Sequence, residues 1–579
     1  MNATRIIGLC ALTTLLLAGC SAPAPRSGGE QAAPPPAAPQ PPAASEETGE
    51  EQREGLILFE LLAGELAGRE GDLATAAQAY AEAAWETRDP DVAERATRIA
   101  LYAGQLQLAL RSANRWAQLQ PDNIEAHQVL GVLYARMGQV DTAVHHLQRV
   151  IESGEDVEGG YRLVGGLLSQ QIPAEHALEV MRGLVALHPD RHEAWQSLAA
   201  LAMKLKRPDA ALPAVEKALE LDSESVESRL LHAQVLLELG QKERALDEAR
   251  RLVDEHPGRN DIRLALAQML VQSGEYERAR QRFEQVLTRQ PDNADLVYTL
   301  ALLNLEMKRY KDARRYLERV LSMGKHVYDA SYYLGRIAEQ EGDFRQAASW
   351  YLRVTDGPYQ REAQARVAVM LARLGRVEEA REHLRRMRQQ AATADEQVQL
   401  YLMEGEILIE AGRLQEARKL YQDALKTFPD NPDLLYGLAM LAEQEGDLET
   451  MERLLKQLLA RNPEDARALN ALGYVLADRT ERYMEALGFI RRALEISPDD
   501  PAILDSMGWV LYRLGKPEEA LKYLQRAHKK LLDDEIGSHL AEVLWKLGRK
   551  KEARQVLEQV KKAFPDSEVV RRTERLIGP

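Results

Sequence analysis

Two neighbouring stretches decide the fold: Leu469–Asp500, LNALGYVLADRTERYMEALGFIRRALEISPDD, and Leu504–Ala527, LDSMGWVLYRLGKPEEALKYLQRA. Each sets a small residue, Gly473 or Gly508, ahead of an alanine, Ala486 or Ala520, among apolar residues at helical spacing. Working outward, the alanine recurs about every 34 residues, at Ala76, Ala109, Ala143, Ala177, Ala211, Ala245, Ala279, Ala313, Ala347, Ala380, Ala417, Ala486, Ala520 and Ala553, with Met451 in the one slot that differs. About twelve residues earlier a second series holds Gly or Ala from Gly64 to Ala541, Thr97 being the exception. A third series is glycine, from Gly71 and Gly104 to Gly515 and Gly548. The common cause is two helices that approach closely only where side chains are small. Between them lies a turn whose left-handed residue is cheapest as glycine. Prolines such as Pro121, Pro257, Pro291, Pro429, Pro463, Pro498 and Pro565 close many units and stop the second helix, and the polar residues after them often cap the next.

This pattern resembles the tetratricopeptide repeat, a helix–turn–helix unit of about 34 residues. The resemblance covers nearly everything after residue 55. It implies an all-α, right-handed superhelical solenoid of about 15 helix pairs, each packing on its neighbours, with a C-terminal capping helix near Ser567–Ile577. The spacing breaks once. Between Ala380 and Ala417 it lengthens, with AATAD in the gap. A longer loop between Gln389 and Gln397 is expected there, dividing the array into residues 55–390 and 398–579.

Charged residues make up 28% of the chain and its net charge is −15, which disfavours nucleic acid as a partner because phosphate binding needs a basic stripe. The end of the chain runs the other way, with Lys550, Lys551, Arg554, Lys561 and Lys562 among its basic residues; this reads as a charged cap or as a docking patch for an acidic partner.

The N-terminus reads as an address. Arg5 precedes the apolar run Ile6–Ala18, which is too short to span a bilayer and ends in Leu17-Ala18-Gly19-Cys20. That ending resembles the bacterial lipobox, which implies a signal peptide over residues 1–19, cleavage before Cys20 and acylation of that cysteine. Ser21 stands where sorted lipoproteins retained at the inner membrane carry aspartate, so the resemblance implies anchoring in the outer membrane, facing the periplasm. Residues 20–54 read as an acylated cysteine followed by a Pro/Ala-rich linker that cannot bury a core. In polyproline geometry it would reach on the order of 80–100 Å. Cys10 would leave with the signal, so the repeats hold no disulfide.

No catalytic, cofactor-binding or metal constellation stands out. His192-Glu193-Ala194-Trp195-Gln196 lacks the second histidine of a zinc protease motif, and phosphate loops, dinucleotide fingerprints and nucleophile elbows are absent. His145 and His146 are adjacent on a helix and share no face; Ser538 and His539 are likewise neighbours and cannot form a nucleophile–base pair. By resemblance to tetratricopeptide arrays, first-helix positions that point into the groove are Tyr436 and Met440, Asn470 and Tyr474, Asp505, Trp509 and Tyr512, then Ser538, Glu542 and Trp545, with Tyr298 and Tyr332 further upstream. Aromatic side chains beside hydrogen-bonding groups are typical binding anchors. Trp195 reads as structural.

Lipobox, Pro-rich linker, long array and the C-terminal signature NALGYVLAD … DSMGWVLYRLGKPEEAL together resemble a proteobacterial outer-membrane lipoprotein family of protease adaptors. The resemblance implies a non-enzymatic adaptor that binds a periplasmic carboxyl-terminal processing serine protease and presents substrates such as peptidoglycan cross-link hydrolases. The alternative is a scaffold lipoprotein for a secretion, pilus or polysaccharide-export complex.

Overall fold

The computed structural model describes residues 46–154 and 156–578. The expected signal peptide, Cys20 and most of the expected linker lie outside the described residues. Among those described there are 31 helices and no strand, numbered α1 (Glu46–Glu70) to α31 (Glu568–Ile577) in chain order. They form fifteen successive pairs and a final single helix, so the all-α solenoid of helix pairs stands as expected. None is long and apolar enough to cross a membrane. The helix α1 begins at Glu46, upstream of the array's expected start. The chain divides into two compact units, Met1–Leu231 and His232–Pro579.

The three small-residue series occupy the places their chemistry requires. Every member of the alanine series, and Met451 in its place, is at most 1% exposed, because each lies where the second helix of a pair meets the first. At the second series, glycine makes room for a bulkier partner. A Cβ on Gly335 would lie 2.7 Å from the Tyr351 ring, and one on Gly508 would lie 2.5 Å from Leu524 Cγ. The one exception, Thr97, is fully buried and donates its hydroxyl to the Ala93 carbonyl at 2.7 Å. The third series sits at the turn in the left-handed region, as at Gly104 (φ 70°) and Gly515 (φ 78°). There Gly104 N–H donates to Leu101 O and Gln105 N–H to Ala100 O, closing the end of α3 (Pro90–Tyr102).

Each closing proline lies just past a helix end, and after all of those named but Pro257, where the N-cap is Arg259 with no side-chain cap bond, a polar residue caps the next helix. Asn123 accepts from Ala126 N–H at 3.0 Å, Asn293 from Leu296 N–H at 3.0 Å, and Asp465 from Ala468 N–H at 2.9 Å. The final helix α31 is capped by Ser567 and lays Val570 and Ile577 on Ala541, Leu557 and Val560, covering the apolar face that the last pair would otherwise expose.

The spacing break near Ala391 is built differently from the expected long loop. The connection between α20 (Val377–Gln390) and α21 (Ala394–Glu410) is only Ala391–Thr393, and the extra residues lengthen α21 to 17 residues. Thr393 caps α21 through Glu396 N–H, which starts the helix early. The core runs through this point: Ala380 and Leu384 pack with Ile407, and Glu404, 1% exposed, accepts from Arg381 Nε at 2.9 Å and Arg388 Nη1 at 2.6 Å.

Candidate functional site

In the unit from His232 onward, α23 (Pro432–Gln444), α25 (Ala466–Arg479), α27 (Pro501–Arg513) and α29 (Asp534–Lys546) are the first helices of four successive pairs. An open cleft of about 480 Å³ lies across them. Tyr436 and Met440 come from α23, Asn470 and Tyr474 from α25, and Asp505 from α27. These five were marked by their groove positions, and the fold brings them to one opening. Glu535 joins from the start of α29, and Asp533, which caps that helix through Glu535 and Ile536 N–H, forms part of the rim.

The other five groove candidates do not line this cleft. Trp509 and Ser538 are buried, at 6% and 1% exposure. Tyr512 donates to Glu542 Oε1 at 3.2 Å, a contact between neighbouring repeats. Trp545 lies under Lys550 Nζ, 4.8 Å from its ring centroid. Tyr298 and Tyr332 offer no groove surface, being only 4% and 3% exposed. Tyr298 stacks on His326 at 4.5 Å and Tyr332 on Tyr359 at 4.3 Å, because this stretch fills its inter-repeat space with tyrosine rings. Trp195 is structural, donating to the Pro189 carbonyl at 2.9 Å. His146 meets His127 at 2.8 Å between Nδ1 atoms, and burial, then His127 and His145, pushes His146 down to about 4.

Beneath the cleft lies a buried pair that groove-position reasoning did not mark. His539 Nδ1 is 2.9 Å from Asp505 Oδ2, and the two side chains are 7% and 6% exposed. Trp509 stacks flat on the imidazole, centroids 3.9 Å apart and planes 17° from parallel, while its Nε1 donates to Asp478 Oδ1 at 3.2 Å. Burial alone would lower the affinity of His539 for its proton; the Asp505 carboxylate, followed by Glu535 and Glu542, outweighs that and holds its pKa above the ordinary 6.5. Tyr474 donates its hydroxyl to Glu535, and burial followed by that carboxylate's charge pushes the phenol's pKa far up, so it stays a donor. Burial, then Glu542, raises Tyr512 to about 12. The signal for the pair was in the numbering: Asp505 and His539 are 34 residues apart, one full period, and so face each other from adjacent repeats.

Ser538 Oγ has no hydrogen-bond partner, so the Asp505–His539 pair addresses no nucleophile there. Among the described residues no group of three or more His, Cys, Asp or Glu is placed to hold a metal ion.

Family models described as tetratricopeptide repeat match residues 175–226, 230–294 and 506–568, 270–326 and 408–473, 464–531 and 362–386. The chain is 42% identical over 485 residues to the TPR repeat-containing protein PA4667 of Pseudomonas aeruginosa, covering 84% of this chain and 82% of that one. It is 26% identical over 138 residues to the type IV pilus assembly protein PilF of the same organism, covering 23% of this chain and 53% of PilF. Among solved structures it is similar to TTC0263, a thermophilic TPR protein of Thermus thermophilus, at 27% identity and a TM-score of 0.29, over 31% of this chain and 97% of that one. With the repeat geometry seen in fifteen successive pairs and a relative alike over most of both lengths, the chain belongs to the tetratricopeptide repeat proteins.

Proposed function

We propose that this protein is a non-enzymatic adaptor, anchored in the outer membrane through acylated Cys20 and facing the periplasm, that holds a carboxyl-terminal processing serine protease and presents substrates such as peptidoglycan cross-link hydrolases to it. The observation that carries the protein-binding reading is the cleft across α23, α25, α27 and α29. Four repeats converge there on one opening with aromatic walls and acceptors that nothing among the described residues satisfies. The C-terminal signature that resembles the adaptor family falls in α25, α27 and the start of α28 (Pro517–Lys530), the first two of which help build it. The N-terminal repeats engage the protease in this reading, and the apolar stripe of Phe59, Leu62 and Leu66 on α1, each more than half exposed, supports a docking role there. Tethering both partners on one chain raises their effective concentration for each other.

The test is capture from detergent-solubilised envelope with the whole chain as bait, read by mass spectrometry. Recovery of a carboxyl-terminal processing protease together with cell-wall hydrolases is expected. Recovery of secretion or pilus components without that protease would overturn the adaptor reading. It would favour a scaffold lipoprotein, the reading that the partial likeness to the pilus assembly protein PilF supports.

A further inference from the structure

Two side chains lining the cleft present acceptors with nothing to accept from: Asp505 Oδ1 and Asn470 Oδ1. The Asp505 case is the more telling, since its side chain is only 6% exposed and its other oxygen is held by His539. A carboxylate oxygen in that position carries its desolvation cost until a donor arrives. The surroundings are acidic. Glu535, Asp533, Asp478 and Glu443 line the same cleft, and its one basic residue, Arg479, is already paired with Glu443 at 3.1 Å and Asp478 at 3.3 Å. Tyr436 and Tyr474 add ring faces to the walls.

A ligand matching this site is a donor, positively charged, slim enough for a cleft between helices, and apolar along its stem. We propose that the cleft is a subsite for a lysine side chain carried on an extended segment of the partner polypeptide. Asp505 Oδ1 and Asn470 Oδ1 accept from its ammonium, and Glu535 supplies further negative charge. Lysine fits better than arginine because the free acceptors are single atoms on two different side chains. The strong bidentate pairing of a guanidinium engages both oxygens of one carboxylate, and Asp505 has only one to give. The inference rests on the groove being a partner surface, not on which partner it is.

The test uses the whole chain and four dodecapeptide libraries, randomised except at a central position fixed as Lys, N6-acetyl-Lys, Arg or Glu. The lysine library is expected to retain at least tenfold more protein than the acetyl-lysine library, and more than the arginine one. Asp505→Asn should abolish that preference. Because this change also disturbs the His539 pair, Glu535→Gln is the second arm: its amide oxygen can still accept from Tyr474 and the Asp505–His539 contact stays in place, so it should reduce the preference several-fold by loss of charge alone. Equal retention by the lysine and acetyl-lysine libraries, a preference surviving both variants, or retention by no library would overturn the assignment. Asn470→Arg separates the two ideas, since it fills the cleft with a cation. If capture of the natural partner survives Asn470→Arg, the groove reading falls. If capture is lost while lysine shows no preference, the groove reading stands and the lysine assignment falls.

Discussion

Replacing His539 with phenylalanine should open the C-terminal repeats locally, by an amount the buried pair sets. Phenylalanine keeps a flat ring under Trp509, so the stack at 3.9 Å largely survives. What is lost is the 2.9 Å contact to Asp505, whose carboxylate then has no partner on either oxygen at 6% exposure. Removing one member of such a pair typically costs about 3–5 kcal/mol, whereas replacing both with apolar groups is close to neutral. His539→Phe should therefore lower the local stability of α27 and α29 by about 3–5 kcal/mol, and the double change with Asp505→Leu should recover all but about 1 kcal/mol. A repeat array opens in pieces, so the assay is amide hydrogen exchange resolved by segment rather than one global melt. Protection in α27 and α29 should fall roughly 150- to 4,600-fold in the single variant. The pH dependence has a definite sign. The folded state raises the histidine above 6.5, so the pair's contribution is complete below that value and is lost as pH rises through the higher folded pKa. The double variant should lose that dependence. Unchanged protection in His539→Phe, within about 0.5 kcal/mol, would refute the claim that the pair holds these repeats together.

Three other outcomes follow from the same packing. Gly473→Ala would place a Cβ 2.5 Å from Ile490 Cγ1 and 3.0 Å from the Ala486 carbonyl, so overpacking of about 1–3 kcal/mol should exceed the roughly 1 kcal/mol of helix propensity gained. Gly488→Ala in α26 (Tyr483–Ile496), where a Cβ meets nothing within 4 Å, should stabilise; equal urea midpoints for the two would count against the argument. Lys206→Gly and Lys308→Gly relieve left-handed lysines at φ 59° and 57° and should each gain about 0.5–1 kcal/mol by segment-resolved exchange, with a loss contradicting the strain. Glu404→Gln should weaken the α20–α21 seam by about 3 kcal/mol and make Ala391–Thr393 a preferred subtilisin site. In the unaltered chain that short connection should resist, and early cleavage there would restore the long-loop expectation.

Much of the fold was legible because its constraints repeat. A slot that must be small, or must be left-handed, declares itself in repeat after repeat, and an exception reads against the rest. Lys206 and Lys308 show the limit of that logic: each stands in the glycine slot of its repeat and adopts the left-handed turn regardless, since the packing of two helices outweighs a local strain of about 1–2 kcal/mol. The spacing break misled for a related reason. A length change says that residues were inserted, not where they go, and α21 absorbed them because its extra turn begins with a side-chain cap at Thr393 and ends in the same core contacts. Periodicity is blind to that choice because a longer helix and a longer loop shift the alanine series equally.

The site was legible only in part, and the reason lies in what a position label means. Helical phase marks which residues point to a face; it does not say whether the next repeat covers them. Tyr474 and Trp509 hold equivalent positions in adjacent repeats, yet Tyr474 lines the cleft while Trp509 lies buried on His539. The period itself carries the missing information. Side chains one repeat apart face each other: Asp505 and His539 are separated by 34 residues, as are Asp433 and Arg467, whose contact is 2.8 Å. Scanning this chain for opposite charges one period apart marks both pairs from the sequence. It also shows the difference that matters for binding, because Arg467 and Asp433 meet with substantial exposure at the surface, whereas Asp505 is buried with one oxygen still unclaimed. An exposed pair is largely satisfied by solvent and contributes little. The acceptor left over inside the cleft is the one that the proposed lysine would satisfy.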